Sequence, residues 1–104
     1  MNSTGTALAD LFERIPRRHS PDNIKEIYSI LDDYENLLQT IEGESPALEK
    51  QVAPFFDTLE PVRALVKKSS DNKASKKMKD NFFDEASGSL KDSMQSLMQL
   101  YNPG

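Results

Sequence analysis

The stretch IKEIYSILDDYENLLQTI, residues 24–41, carries the strongest secondary-structure signal in this chain. Its apolar side chains recur every three or four residues, the spacing that places side chains on one face of an α-helix. The residues of this stripe are Ile24, Ile27, Ile30, Leu31, Tyr34, Leu37, Leu38 and Ile41. Because the stripe is wider than the seam of a two-stranded coiled coil, it predicts a helix packed into a globular bundle.

The residues that flank this stretch predict a helix over about 21–42. Ser20 is a favoured N-cap, Pro21 is favoured at the first helical position, and Asp22 complements the positive end of the helix dipole. Gly43 is expected to end the helix in the left-handed conformation. The connection that follows, EGESP, is short, so the next helix should be an antiparallel neighbour.

A second long helix is predicted over about 46–67. Its apolar residues again step by three and four: Leu48, Val52, Phe55, Leu59, Val62 and Val66. Two prolines interrupt the pattern, Pro54 and Pro61. Because an interior proline costs about 3 kcal/mol, we expect a kink near Phe55, or a restart with Asp57 or Thr58 as a new cap.

A short first helix is predicted over about 6–15. Thr6 can cap it, and four apolar residues share one face: Leu8, Leu11, Phe12 and Ile15. The helix should stop near Ile15, because a residue that precedes a proline disfavours the helical conformation.

The last helix is predicted over about 76–101. Its stripe consists of Phe83, Ala86, Leu90, Met94, Leu97 and Tyr101. The sequence SGS at residues 87–89 weakens its middle, since glycine alone costs about 1 kcal/mol relative to alanine. Ser89, with Asp92 three residues later, is therefore a candidate start of a separate helix.

Charge is distributed unevenly around a net charge of −4. Residues 22–60 contain ten acidic residues and two lysines, whereas residues 67–79 contain six lysines and one aspartate. The segment 67–76 is polar and lacks an apolar period, so it is predicted to be a lysine-rich linker.

Several classes of chemistry find no support in the composition. The absence of cysteine excludes disulfides, thiolate metal sites and cysteine nucleophiles, and a single histidine, His19, gives zinc too few of its preferred ligands. No glycine-rich phosphate loop or calcium loop is present. We expect no enzyme activity, cofactor or metal. The N-terminus lacks the pattern of a signal peptide and no apolar run is long enough to span a membrane, so a cytoplasmic or nuclear location is expected.

The segment RRHSPDN, residues 17–23, is open to three interpretations. Capping alone explains Ser20 but leaves Arg17 and Arg18 unexplained. Two arginines shortly before a serine resemble the target of a basophilic kinase, and a phosphate on Ser20 would be stabilised at a helix N-terminus. A contact with an anion or a nucleic acid is the third interpretation.

The lysine run is likewise open to three interpretations. It is a solvated helix end and linker, a contact for nucleic acid or an anionic surface, or a contact for an acidic protein. The run has no aromatic residue to stack on bases and no arginine for bidentate contacts, which disfavours nucleic acid. Together with the arginines, the candidate anion-contacting residues are Arg17, Arg18, Lys67, Lys68, Lys73, Lys76, Lys77 and Lys79.

The end of the last helix, SMQSLMQLY, is more apolar than one core-facing stripe requires. Methionine adapts to irregular surfaces and recurs where a helix docks. The candidate partner contacts are Met94, Met98, Leu100 and Tyr101, with Leu8, Leu11 and Phe12 of the first helix. In the alternative interpretation the first helix covers this face within the same chain; otherwise a partner protein or a second copy does.

These patterns predict one all-α domain over residues 1–104. It is a small antiparallel bundle of three long helices, the second of them kinked by proline, with a short N-terminal helix. The expected function is that of a non-catalytic protein–protein interaction module: an adaptor, a regulator or a small subunit of a multiprotein complex. The alternative is an electrostatic binder of nucleic acid or an anionic surface through the arginine and lysine clusters.

Overall fold

The computed structural model describes residues 3–16 and 18–101, with the side chains of all but residues 3, 4 and 101. This part of the chain contains five helices and no strand, which confirms the all-α class. The helices are α1 (Ser3–Arg14), α2 (Pro21–Glu42), α3 (Pro46–Asp57), α4 (Leu59–Ser69) and α5 (Lys76–Tyr101). No helix within the described residues is long and apolar enough to cross a membrane.

The helices pack side by side into a rod of 44 × 22 × 21 Å. Contacts between α4 and α5 pair the start of one helix with the far part of the other: Thr58 contacts Ser93, and Lys68 lies over Phe82. These two helices are therefore antiparallel. The helix α2 packs on α3 and α4, and α1 lies against both α2 and α5.

Among the described residues, eighteen apolar side chains form the core, and α1 contributes to it. The buried residues are Leu8, Leu11, Ile15, Ile27, Ile30, Leu31, Tyr34, Leu38, Ile41, Val52, Leu59, Val62, Val66, Phe83, Ala86, Leu90, Met94 and Leu97. The residues that α1 buries lie against the same core as the α5 stripe. Met94 and Leu97 are fully buried in this shared core, and α1 packs on α5, which is the arrangement that intramolecular cover predicts.

The predicted N-cap of α2 is observed, whereas the end of the helix differs from the prediction. Ser20 accepts a hydrogen bond from the Asn23 amide at 3.0 Å, with Pro21 in the first turn. Gly43, however, has a φ of −74°, so the left-handed ending that we predicted is wrong. Its amide still donates to the Gln39 carbonyl at 3.1 Å, so the last turn is completed by right-handed geometry that any residue can adopt.

The junction of α3 and α4 at Thr58, which we call the elbow, is where the second long helix divides. The chain restarts at one of the predicted positions, but Thr58 makes no side-chain cap. An N-cap hydroxyl accepts from the second or third helical amide, and here the third position is Pro61, which has no N–H. The Thr58 hydroxyl instead donates to the Phe55 carbonyl at 2.7 Å. Pro54 lies inside α3. We expected either a bend near Phe55 or a restart of the helix, and the chain restarts at Thr58.

Two further boundaries differ from the prediction, the start of α1 and the end of α4, whereas α5 spans the predicted residues 76–101. The helix α1 begins at Ser3, so Thr6 lies inside it and is not its cap. Gly5 lies between these two residues, and the low helix propensity of a single glycine does not break the helix. The lysine-rich linker is shorter, 70–75, because α4 continues to Ser69 and Ser75 begins α5 by accepting from the Met78 amide.

The helix α5 is continuous through SGS, so the predicted second start at Ser89 is wrong. Ser87 explains the continuity, because it is buried and donates to the Pro16 carbonyl at 2.8 Å. Tertiary packing at this serine outweighs the weak helix propensity of Gly88.

Replacing Gly88 with alanine should stabilise the protein by about 1 kcal/mol. Gly88 is helical and exposed, and an added Cβ would meet no atom within 4 Å, so the substitution removes backbone freedom from the unfolded chain without a clash. Urea denaturation followed by circular dichroism measures the change. Gln95→Ala, at another exposed position of α5, is the control and should shift stability by only a few tenths of a kcal/mol. If Gly88→Ala destabilised the protein, the conclusion that an added Cβ meets no clash at this position would be wrong.

Candidate functional site

A chain of hydroxyl groups connects three helices at the elbow. The Tyr34 hydroxyl lies 2.9 Å from Ser93 Oγ, which lies 3.1 Å from Thr58 Oγ1. Because the Phe55 carbonyl only accepts, the Thr58 proton points to Phe55. Ser93 then donates to Thr58, and Tyr34 donates to Ser93. This hydroxyl relay has one direction of donation, from α2 through α5 to the end of α3.

Burial dominates the acid–base behaviour of the relay. It raises the pKa of Tyr34 to about 12, since a phenolate is poorly solvated in the core, while the hydrogen bond with Ser93 acts in the opposite direction. The phenol is therefore neutral at physiological pH, and its role in the fold is that of a hydrogen-bond donor.

A surface groove of about 490 Å³ lies beside the relay, between the elbow and α5; we call it the elbow groove. Its lining residues are Pro54, Phe55, Asp57, Thr58, Pro61 and Val62 on one side and Ser89, Asp92, Ser93 and Ser96 on the other. Pro54 and Pro61 are exposed on the wall, and Val62 is buried beneath them. Asp57 and Asp92 are exposed carboxylates, and no cationic residue lines the groove.

The two cationic clusters, distant in sequence, meet at the opposite part of α5. Arg18 and Lys76 line one cleft of about 520 Å³, together with His19 and Asp80. Lys68 at the end of α4 places its Nζ 5.8 Å from the centre of the Phe82 ring, on the same turns of α5. Lys67 and Lys73 line a further cleft together with Lys68. We call the surface that carries these cations the basic end; its described cations are Arg18, Lys67, Lys68, Lys73, Lys76, Lys77 and Lys79.

Met78 is an exposed apolar residue in the first turns of α5, at the basic end. Its side chain is 49% exposed, and it is the large hydrophobic side chain that stands out as exposed in the described part of the chain. It lies among Lys76, Lys77 and Lys79 in the first turns of α5. An anionic ligand with an apolar side chain would complement both properties of this surface.

His19 fixes the start of α2 against α5. Its ring meets Phe83 edge-on at 5.9 Å between centroids, and its Nδ1 lies 4.0 Å from an Asp80 carboxylate oxygen. Its Nε2 is buried without a hydrogen-bond partner in the described structure. No three histidine, aspartate or glutamate side chains in the described ranges come together as a metal site.

The predicted apolar partner contacts are mostly enclosed by the monomer. Leu8, Leu11 and Met94 are buried in the core and unavailable to a partner, which corrects that part of the prediction. They are enclosed because α1 packs against α5. Phe12, Met98 and Leu100 are half-buried at the edge of the core. The side chains of Tyr101 and of Arg17 lie outside the described residues.

Ser20 is half-buried, and its hydroxyl accepts the Asn23 cap bond. The capping interpretation therefore accounts for its position. Arg18 is exposed beside it and uses its carbonyl to accept from the Asn23 side chain at 2.7 Å. Whether Ser20 carries a phosphate stays a prediction.

The acidic face of α2 is partly neutralised by two arginines. Arg14 of α1 lies 3.0 Å from Glu26 and 3.6 Å from Asp33. Arg63 of α4 lies 3.1 Å from Asp32. Sequence analysis missed these interhelical pairs, because their arginines belong to distant segments.

The sequence also missed the relay, although a signal for it was present. Tyr34 lies on a buried stripe, and a buried tyrosine hydroxyl requires a partner. Ser93 is three residues after Leu90 and four before Leu97, which places it on the core face of α5.

Replacing Ser93 with alanine should destabilise the protein by about 1–3 kcal/mol. The substitution leaves the buried Tyr34 hydroxyl without its acceptor and Thr58 without its donor. Ser96→Ala, on an exposed position of the same helix, makes the same chemical change without this loss and should stay within about 0.5 kcal/mol of the wild type. Chemical denaturation measures both, and equal effects would contradict the relay.

Raising the pH from about 10 to about 12 should destabilise the wild type more than Tyr34→Phe. The pKa of Tyr34 is raised in the folded state, so its neutral form contributes stability that is complete below the unfolded pKa of 10 and lost as the pH rises through about 12. Urea denaturation at successive pH values measures the difference, because other tyrosines and the lysines titrate in both proteins. If the free energy of unfolding fell equally with pH in the wild type and in Tyr34→Phe, Tyr34 would ionise as easily in the folded state as in the unfolded chain.

Comparison with protein-family models, with curated proteins and with solved structures finds no match to this chain. The interpretation of its function therefore depends on the two surfaces along α5, the elbow groove and the basic end.

Proposed function

We propose that this chain is a non-catalytic protein–protein interaction module that binds an acidic segment of another protein through its basic end. The observation that carries this proposal is that Arg18 shares a cleft with Lys76, while Lys68 of α4 lies over Phe82 on the same turns of α5, where Met78 is exposed. An adaptor, a regulator or a small subunit of a complex would use such a surface.

The mixture of charges favours a protein over a uniform polyanion. Three aspartates lie among the seven cations of the basic end: Asp71, Asp80 and Asp84. A phosphate backbone or an anionic membrane would be repelled by each of them, whereas a protein can place its own polar groups to avoid them.

Met78 further supports a partner with side chains. Full burial of a methionine contributes about 1.5–3 kcal/mol, so covering the 49% of Met78 that is exposed would contribute about half of that, provided that the partner offers an apolar group. The neighbouring lysines would then increase the association rate and the specificity, since exposed ion pairs contribute only about 0–1 kcal/mol each.

Binding of nucleic acid or an anionic surface is the second proposal, and the clustering of the cations is the observation that favours it. A cytoplasmic or nuclear location stays a prediction.

Replacing Lys73, Lys76, Lys77 and Lys79 with glutamine should abolish partner binding without unfolding the protein. Lys73, Lys76 and Lys77 are exposed and Lys79 is half-buried, and glutamine retains part of the aliphatic stem, so the denaturation midpoint should correspond to a change within about 0.5 kcal/mol. The measurement is affinity capture from a lysate of the source organism at low and high salt, with mass spectrometry of the bound proteins.

The matched control replaces Lys25, Lys50 and Lys91, which lie outside the basic end, and should retain the captured protein. Nuclease treatment of the lysate separates the two proposals: capture of an acidic protein should survive it, whereas capture through nucleic acid should not. Equal capture by wild type and the lysine variant would overturn both proposals.

A further inference from the structure

We propose that the elbow groove of one molecule binds the Met78 segment of a second copy, so that the chain self-associates head to tail. The inference rests on the proposed function only in taking the basic end as an interaction surface. It adds a partner, the second copy, and a second site, the elbow groove.

The two surfaces complement each other in charge. Lys77 and Lys79 flank Met78 along α5, whereas the described lining of the groove contains Asp57 and Asp92 and no cation. Opposite charges placed around a common apolar contact steer association and fix its orientation.

The two surfaces also complement each other in shape and polarity. The groove has a volume of about 490 Å³, with proline rings and Phe55 on one wall and small serine side chains on the other. An unbranched, flexible methionine side chain suits such an irregular groove. Of the described side chains, Met78 is the exposed large apolar one that is available to enter it.

The contact must form between molecules, because both surfaces lie on one continuous helix. Met78 and Ser89, the nearest groove residue on α5, are separated by eleven positions, or about 16 Å along a helix that rises 1.5 Å per residue. No bend in α5 brings Met78 to its own groove. Since the two surfaces differ, each molecule can use both at once, and such a heterologous contact builds open chains or closed rings of several copies.

Sedimentation velocity over concentrations up to about 1 mM tests self-association, the range appropriate to a small, weak interface. The wild type should shift from monomer to larger species with concentration. Raising the salt from about 50 mM to 500 mM should weaken association roughly three- to tenfold, because exposed charge pairs are screened. A wild type that stays monomeric throughout would overturn the inference.

Complementation between variants tests the head-to-tail geometry. Met78→Glu retains the groove, and the double variant Asp57→Lys/Asp92→Lys retains the basic end; each alone should be monomeric. Their equimolar mixture should form a dimer that cannot grow, because each variant supplies one intact surface. Association by either variant alone, or none in the mixture, would refute this contact. Ser96→Lys, at an exposed groove position, replaces the double variant if circular dichroism shows that one to be unfolded.

The outcome separates this inference from the proposed function. Capture of an acidic protein by a wild type that remains monomeric would support the proposed function and refute self-association. Concentration-dependent chains that Met78→Glu abolishes, with no acidic protein captured, would support the head-to-tail contact and refute the proposed function.

Discussion

The hydrogen bond between Tyr34 and Ser93 is the constraint on which the arrangement of the helices depends. A buried hydroxyl without a partner destabilises a core, so α2 and α5 must keep the alignment that joins these two oxygens at 2.9 Å. Ser93 extends the same requirement to Thr58 and thereby to the elbow. Apolar packing alone would tolerate small shifts of one helix along another, whereas this relay tolerates none without losing a bond.

A second serine of α5 applies the same principle at the other interruption of the chain. Ser87 donates to the carbonyl of Pro16, where α1 has ended and α2 has not begun. A proline without an amide donor lies at each break between helices: Pro16 between α1 and α2, and Pro61 just after the elbow. At each break a buried serine of α5 forms a hydrogen bond with the segment, Ser87 with Pro16 and Ser93 with Thr58. The helix α5 therefore supports the irregular parts of the bundle as well as its core.

Sequence reasoning succeeded where the determinant is local. The stripe of α2 and the Ser20 cap depend on residues within a few positions of each other, and both are observed. It failed at Gly43 and Gly88, where an alternative turn and a distant carbonyl decide the conformation. At Thr58 it found the restart of the helix but not the loss of the side-chain cap, which the proline at the third helical position causes. Of the candidate site, the lysines were found from composition. Their meeting with Arg18, and the groove beside the elbow, required the path of the whole chain.

The gathering of cations around the start of α5 gives the rod an electric dipole that its net charge conceals. A sequence pI of about 4.9 suggests a simple anion at neutral pH. Yet the molecule is 44 Å long, and the Debye length is only about 10 Å at 0.1 M salt, so a charged surface senses the end that it touches and little of the remainder. A cation-exchange resin should therefore retain this acidic protein by its basic end, and a negatively charged sensor chip should hold it in one orientation.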